Sequence, residues 1–277
     1  MAVAKAVILA RGLGTRMQRP VEDLRLGQEV EVLAERGWKP LIPIARNRPF
    51  LDYSIEVLRR AGFKKVCIVI GPEHISVKNY YEKVDRALPD LEIDFANQQE
   101  PLGTADAVYA AKEFAGSDSF VVANGDNLYS IDCLKMLRDQ LEEICYVAGF
   151  EREALIAGSN YTAERVKKFA VMQVDGELHL SRIVEKPDNP EAYTTSYGIL
   201  VNMNLFRFTH DIFWACERIK PHPVRGEFEL SSAVQLLVDE RRVPVKVLVA
   251  RAGVLDLTYR DDIVAVRDRL QGLDLSF

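Results

Sequence analysis

Lys5-Ala6-Val7-Ile8-Leu9-Ala10-Arg11-Gly12-Leu13-Gly14-Thr15-Arg16-Met17 decides the fold. Five apolar residues in the first six read as a strand buried on both faces, the pattern of a parallel sheet covered by helices. The glycines at 12 and 14 let the chain turn tightly and come close to a ligand, since neither carries a Cβ. Backbone N–H groups that converge in such a turn make an anion nest, and Arg16 sets a cationic fork beside it. An anion-binding loop at the carboxyl end of a first strand belongs to an open α/β sheet.

Two other glycine loops fit less well. A dinucleotide fingerprint wants glycine or alanine where Met17 stands, and a Walker loop wants Gly-Lys-Ser/Thr after a four-residue gap. Leu9-Ala10-x-Gly12-Leu13-Gly14-Thr15-Arg16-Met17 instead resembles the opening signature of the sugar-1-phosphate nucleotidylyltransferases, the NDP-sugar pyrophosphorylases.

Composition bounds the reading. The 277 residues are 48% hydrophobic and 28% charged, ordinary for a globular protein with a sizeable core. A net charge of −5, from 36 Lys+Arg against 41 Asp+Glu, argues against a nucleic-acid binder and puts the burden on a local positive pocket. Cys67, Cys133, Cys145 and Cys216 share no metal or redox spacing and read as reduced thiols. No leader precedes the first strand, and no apolar run reaches the roughly 18 residues of a membrane helix, so a cytoplasmic protein is expected.

Along the chain, strands and helices alternate. A helix opens at Arg48-Pro49-Phe50 and closes at Gly62; Val66–Ile70 is a strand, His74–Leu88 a helix, Leu91–Phe95 a strand, Ala105–Phe114 a helix and Phe120–Ala123 a strand, followed by a helix over Ile131–Leu141. That rhythm predicts an α/β, Rossmann-like, mostly parallel mixed sheet with helices on both faces. From about Cys145 strands dominate, at Ala170–Val174, His179–Glu185, Tyr197–Val201 and Val245–Ala250. Helices are expected at Leu205–Ile219, Ser231–Glu240 and Asp261–Leu270. One nucleotidyltransferase domain over residues 1–277 is expected, its nucleotide-binding half near 1–144 and its sugar-binding half near 145–277. No hexapeptide repeat announces an appended β-helix domain.

Four further segments extend the resemblance in family order. Gln98-Gln99-Glu100-Pro101-Leu102-Gly103-Thr104-Ala105 is similar to the family's base-reading loop; an amide both donates and accepts, as the edge of uracil or thymine demands. Gly103 would let the base lie on backbone. Asn124-Gly125-Asp126 resembles the Gly-Asp that holds a metal, and a carboxylate ending a buried strand needs a cation or donors. Glu185-Lys186-Pro187 resembles the segment that puts a lysine on the sugar phosphate and a glutamate on sugar hydroxyls, with Gly198 on the sugar-side strand that follows. Asp256 falls on the second metal ligand of a segment whose tryptophan is replaced by Val254 and whose Gly-Thr is replaced by Thr258-Tyr259.

The resemblance implies a nucleotidyl group passing from an NTP to a sugar 1-phosphate, giving NDP-sugar and pyrophosphate. The attacking phosphate carries about −1.5 to −2 charges and needs no general base, so catalysis is alignment and charge neutralisation. Arg16 and Lys39 are the expected catalytic cations. Leu9, Ala10, Gly12, Gly14, Thr15, Gln98, Gly103 and Thr104 would bind a nucleoside triphosphate, a pyrimidine by the amide of Gln98. Asn124, Glu185, Lys186 and Gly198 would bind the sugar phosphate, and Asp126 and Asp256 a Mg²⁺ ion. A homo-oligomer is compatible with all of this. Two departures stand out. Arg11 replaces the family's small residue, where it could add a phosphate contact or crowd the nest. Lys39 follows Arg16 by 23 residues, far more than in the family, so Gln18–Gly37 is an insertion expected over the mouth of the site. The rivals are a scaffold protein on a degenerate version of this fold, and a glycosyltransferase, which would show Asp-x-Asp where Asp126-Asn127-Leu128 stands.

Overall fold

The computed structural model describes residues 2–21, 24–85 and 88–271. The first strand, β1 (Lys5–Leu9), lies between parallel β2 (Lys65–Ile70) and β4 (Phe120–Asn124), with β3 (Glu92–Asn97) parallel on the far side of β2. Between them run α1 (Gln28–Glu35), α2 (Phe50–Arg60), α3 (Ile75–Asp85), α4 (Thr104–Ala110) and α5 (Lys112–Ala115). After β4 come β5 (Asn127–Leu128), α6 (Ile131–Arg138), β6 (Cys145–Glu151), α7 (Arg152–Gly158), α8 (Ala163–Val166), β7 (Val171–Val174), β8 (Leu180–Val184) and β9 (Thr194–Thr195). The chain continues through β10 (Gly198–Phe208), α9 (Asp211–Cys216), α10 (Leu230–Asp239), β11 (Val245–Ala250), β12 (Leu255–Asp256) and α11 (Asp262–Leu270).

The main sheet has the order β11-β6-β10-β4-β1-β2-β3, with β7, β8 and β9 attached beside β10. Only β10 runs against its neighbours β4 and β6 on that path. Alternation along β1 shows why both faces are covered. Ala6 and Ile8 pack with α2, α3, α6 and α11, while Val7 packs with α4, α9 and α10 on the opposite face. Ala6, Val7 and Ile8 are fully buried, and removing Ile8 from water alone is worth about 1.5–3 kcal/mol. The mostly parallel sheet expected from the sequence is present.

Several element limits differ from the sequence reading. Leu205–Phe208, expected as the start of a helix, is the end of β10, where Phe206 pairs Val122 and Phe208 pairs Phe120. The apolar run Leu205, Phe206, Phe208 fits a helix face and a doubly buried strand equally well, and burial on both sides selects the strand. Only Asp211–Cys216 of that stretch is helical. The helix expected over Ala105–Phe114 is two pieces, α4 and α5, broken at Ala111. That expected over Ile131–Leu141 ends at Arg138. Ile75–Asp85 is helical, and the expected continuation at residues 86 and 87 lies outside the described residues. Cys67, Cys133, Cys145 and Cys216 are free, the first three buried. Among the described residues no helix is long and apolar enough to cross a membrane.

The insertion does not displace Lys39, because its far end returns to the glycine loop. Gly37 lies against Gly14 so closely that a Cβ on Gly14 would stand 2.5 Å from the Gly37 oxygen, and both residues have φ near +60 to +70°. Arg260, buried, fastens the same junction: Nε donates to the Met17 carbonyl at 2.9 Å, Nη2 to that of Gln18 at 3.2 Å, and Nη1 to the Glu31 carboxylate on α1. Glu22 and Asp23, inside the insertion, lie outside the described residues. Among the described residues, none of 18–37 is in the lining of either cleft described below, and α1 is anchored to the body through Val30 and Ala34. Gly37→Ala is expected to cost about 1–3 kcal/mol, through its left-handed backbone and a Cβ at 2.4 Å from the Leu13 oxygen. Gly12→Ala, with nothing within 4 Å, is expected to melt like the wild type in thermal unfolding.

Candidate active site

Parallel pairing puts the carboxyl ends of β3, β2, β1 and β4 side by side, and Leu9 is level with Asn124. Three of the loops foreseen from sequence leave that edge. The Gly125 N–H donates to the Leu9 carbonyl at 2.9 Å, stitching the Asp126 loop to the glycine loop. Between these loops lies a cleft of about 380 Å³, lined by Leu9 to Arg16, Lys39, Gln98, Gly103, Thr104 and Asn124 to Asp126. A second cleft of about 290 Å³ opens toward α8 and β10 and is lined by Tyr161, Arg165, Lys168, Glu185, Asn202 and Asp256 among others. Arg16, Asn124 and Asp126 line both. Two polyanions seated one in each cleft would meet at that wall.

The electrostatics at the wall are specific. Lys39, buried, donates from Nζ to Asp126 Oδ2 at 2.7 Å. Burial pushes the Asp126 carboxyl up, but Lys39, and Arg16 more weakly, outweigh this and hold it below its ordinary 3.8. Asp256 comes from the short antiparallel pair β5/β12, where it faces Asn127, and the Leu257 N–H donates to the Asp126 carbonyl at 2.9 Å. Burial, then the charge of Asp126, raises the Asp256 carboxyl to about 6. The two carboxylates feel one another, so they share one end of the site rather than lying on opposite faces.

Their chemistry fits a hard divalent cation. Among the described residues no group of three or more His, Cys, Asp or Glu forms a metal cage. Two mutually repelling carboxylates beside a phosphate cleft are instead what Mg²⁺ uses, since it keeps waters and takes remaining ligands from substrate phosphates.

The base loop is built differently from the sequence expectation. Gln98 spends both amide hydrogens internally, on the Gly103 carbonyl at 3.0 Å and on Asp106 Oδ2 at 2.8 Å, so its side-chain oxygen is the atom left to accept. Gly103 lines the first cleft and is backed on its other side by a distant segment. With φ of +120°, its missing Cβ is replaced by the Phe228 backbone, whose oxygen would stand 2.5 Å away. Phe228 N–H donates to the Leu102 carbonyl at 2.7 Å, Ala105 N–H to the Phe228 carbonyl at 2.9 Å, and Leu230 N–H to Thr104 Oγ1 at 2.9 Å. The Gly226–Leu230 segment therefore props the loop from behind.

Arg11 neither joins the phosphate nest nor crowds it. Its guanidinium turns inward, donating to both Glu73 oxygens at 3.0 and 3.2 Å and to the Gln98 carbonyl, so it ties together the ends of the first three strands. Lys186, exposed with φ of +44°, and Gly198, with φ of +85° beside the Glu151 side chain, line neither cleft. Glu185 lines the second.

Sequence reasoning missed Arg165. It donates to Asp256 Oδ1 at 2.5 Å and to Asp262 Oδ1 at 2.9 Å, and lies 4.7 and 4.9 Å from the Tyr161 and Tyr259 ring centres. The pair Tyr161/Arg165, four apart, was the only local signal. Asn127 and Asn160, which hold Asp256 through its side chain and backbone, had none.

Linkage gives a test of the buried carboxylate. Well below pH 3.8 Asp256 is protonated folded and unfolded; between 3.8 and about 6 the unfolded chain ionises while the native one stays largely protonated, so native stability falls as pH rises through that window. Metal-free Asp256→Asn is therefore expected to be more stable than wild type at pH 8 by about 1–3 kcal/mol, the gap closing by pH 4 in thermal melts.

Comparison with known proteins adds to this geometry. The family model described as nucleotidyl transferase matches residues 5–266. The low-salt glycan biosynthesis nucleotidyltransferase Agl11 of Haloferax volcanii is 30% identical over 242 residues, covering 85% of this chain and 57% of Agl11. The UTP–glucose-1-phosphate uridylyltransferase AglF of the same organism is 26% identical over 96% of both chains. The chain thus spans nearly all of AglF but little more than half of Agl11. Among solved structures, a UDP-glucose pyrophosphorylase complexed with UDP-glucose superposes with a TM-score of 0.68 at 19% identity, over 96% of this chain and 98% of the other. A UTP-bound UGPase from Acinetobacter baumannii gives 0.72 at 17% identity, over 99% and 95%.

Proposed function

This chain belongs to the nucleotidyl transferase family, and on that premise we propose that it transfers a nucleotidyl group from a nucleoside triphosphate to a sugar 1-phosphate, releasing pyrophosphate. The observation that carries the reading is the pair of clefts sharing Arg16, Asn124 and Asp126. The triphosphate occupies the cleft of the glycine loop and the sugar 1-phosphate the cleft of Glu185, Asn202 and Arg165. A sugar-phosphate oxygen attacks the α-phosphorus, the new P–O bond forms as the bond to pyrophosphate breaks, and no side chain becomes covalently attached. Backbone N–H groups of the glycine loop, Arg16 and Lys39 hold the triphosphate and stabilise charge on the departing pyrophosphate. Lys186, exposed beside the second cleft, reaches the sugar phosphate once that cleft is filled, with Gly198 leaving room on the neighbouring strand.

Asp126 and Asp256 would hold Mg²⁺, which supplies charge neutralisation and alignment of the phosphates when bound. The reaction belongs in the cytoplasm, which suits four free thiols. The Gln98 side-chain oxygen accepts a hydrogen bond, so it pairs with the ring N–H of uracil or thymine and repels the bare ring nitrogen of cytosine.

UTP and dTTP are therefore expected to exceed CTP and ATP in kcat/KM when pyrophosphate release is followed over a panel of sugar 1-phosphates. Lys39→Ala is expected to lose about 10²–10³-fold in kcat, the scale of one lost transition-state contact. Tight nucleotide binding without pyrophosphate release from any pair would instead mark a binding scaffold.

A further inference from the structure

Arg165 lies in none of the motifs that carry the family resemblance, yet its guanidinium touches the carboxylate where a metal would sit. Nη2 donates to Asp256 Oδ1 at 2.5 Å, Nη1 holds Asp262 Oδ1 at 2.9 Å, and the Tyr161 and Tyr259 rings flank the group at 4.7 and 4.9 Å.

Asp256 does not need this contact for its position. Its backbone N–H donates to Asn160 Oδ1 at 2.8 Å, its carbonyl accepts from Asn160 Nδ2 at 2.9 Å, its Oδ2 accepts from Asn127 Nδ2 at 2.9 Å, and β5 pairs with its strand. Asp262 is likewise fastened without Arg165, through the Thr258 and Tyr259 N–H groups at 2.9 and 2.7 Å and through Asn160 at 3.1 Å. What Arg165 alone brings to Asp256 is charge, placed on the oxygen that Asn127 leaves open.

We propose that Arg165 is a built-in counter-cation of the metal site: it occupies the ion-binding face of Asp256, and a divalent cation enters by displacing it. This rests on the placement of the metal proposed above. The arrangement answers a physical need. Asp126 and Asp262 both place negative charge close to buried Asp256, and a buried charge among like charges without compensation is strongly unfavourable. Lys39 balances Asp126 and Arg165 balances the other two, so the empty site stays folded. The same ion pair makes the metal compete for its ligand, and the guanidinium it displaces is left facing the second cleft, among the residues that would meet an incoming phosphate. Metal loading and anion binding are thereby linked through one side chain.

The test is Mn²⁺ binding to the metal-free full chain without substrates, read as loss of the free-ion electron paramagnetic resonance signal. Arg165→Met keeps an unbranched apolar stem near the two rings and removes the charge; it is expected to bind Mn²⁺ at least about tenfold more tightly than wild type, from relief of charge repulsion at close range. Arg165→Lys should stay near the wild-type affinity, because it keeps the charge. Arg165→Gln, which keeps N–H donors toward both carboxylates, gives the same comparison if the methionine variant melts early. Equal or weaker Mn²⁺ binding by a charge-removing variant that melts like the wild type would overturn the proposal. Asp256→Asn separates the two levels: it should abolish binding. If it binds Mn²⁺ like the wild type, the metal placement itself falls.

Discussion

Two carboxylates within reach of each other's charge, Asp256 buried and Asp126 half-buried, are the constraint around which this molecule is arranged. Asp126 and Asp256 come from opposite halves of the chain and are brought together by the β5/β12 pair, four residues in all. Left alone they would repel, protonate or unfold the site. Each therefore has a cation in contact: Lys39 at 2.7 Å for Asp126 and Arg165 at 2.5 Å for Asp256. The clefts on either side inherit a wall of paired negative and positive groups, which in the proposed reaction would take a metal and phosphate respectively. Such a wall can bring two anions together without a nucleophilic side chain, because the obstacle to reaction is their mutual repulsion.

The backbone keeps that wall in register. β1 and β4 pair in parallel, with Leu9 opposite Asn124, so the glycine loop and the Asp126 loop leave the sheet as neighbours. Gly37 on Gly14 and the Arg260 hydrogen bonds bring Lys39 back to the same place after a long excursion. Arg11, clamped by Glu73 and reaching the Gln98 carbonyl, fixes the base loop to the first two strands. Each is a short-range contact replacing a covalent neighbour, which is how an insertion and an altered loop residue leave the clefts intact.

Much of this was legible in the sequence, for physical reasons. Strands buried on both faces leave unbroken apolar runs such as Ala6–Leu9 and Val121–Ala123, and glycine loops at their ends mark where a ligand approaches. Leu205–Phe208 was ambiguous for the same reason, since an apolar run buried all round has no period to read. The contacts of Arg11, Arg165 and Gly103 could not be read from the sequence because their partners are remote in it: Glu73, Asp256 and the Phe228 backbone. A charged residue announces a charge but not which way it turns. Asn127 and Asn160, both essential to the posture of Asp256, carry no sequence signature at all.

Cations acting on a single displacement, rather than covalent catalysis, are the centre of the proposed mechanism, and stereochemistry at phosphorus reports on it directly. The chain would be given one diastereomer of a uridine or thymidine 5′-(1-thiotriphosphate) with a sugar 1-phosphate it accepts, and the product's configuration at the α-phosphorus read by ³¹P nuclear magnetic resonance. One in-line attack by the sugar phosphate gives inversion, the expected result. Retention would mean two successive displacements through a nucleotidylated side chain, and would contradict it.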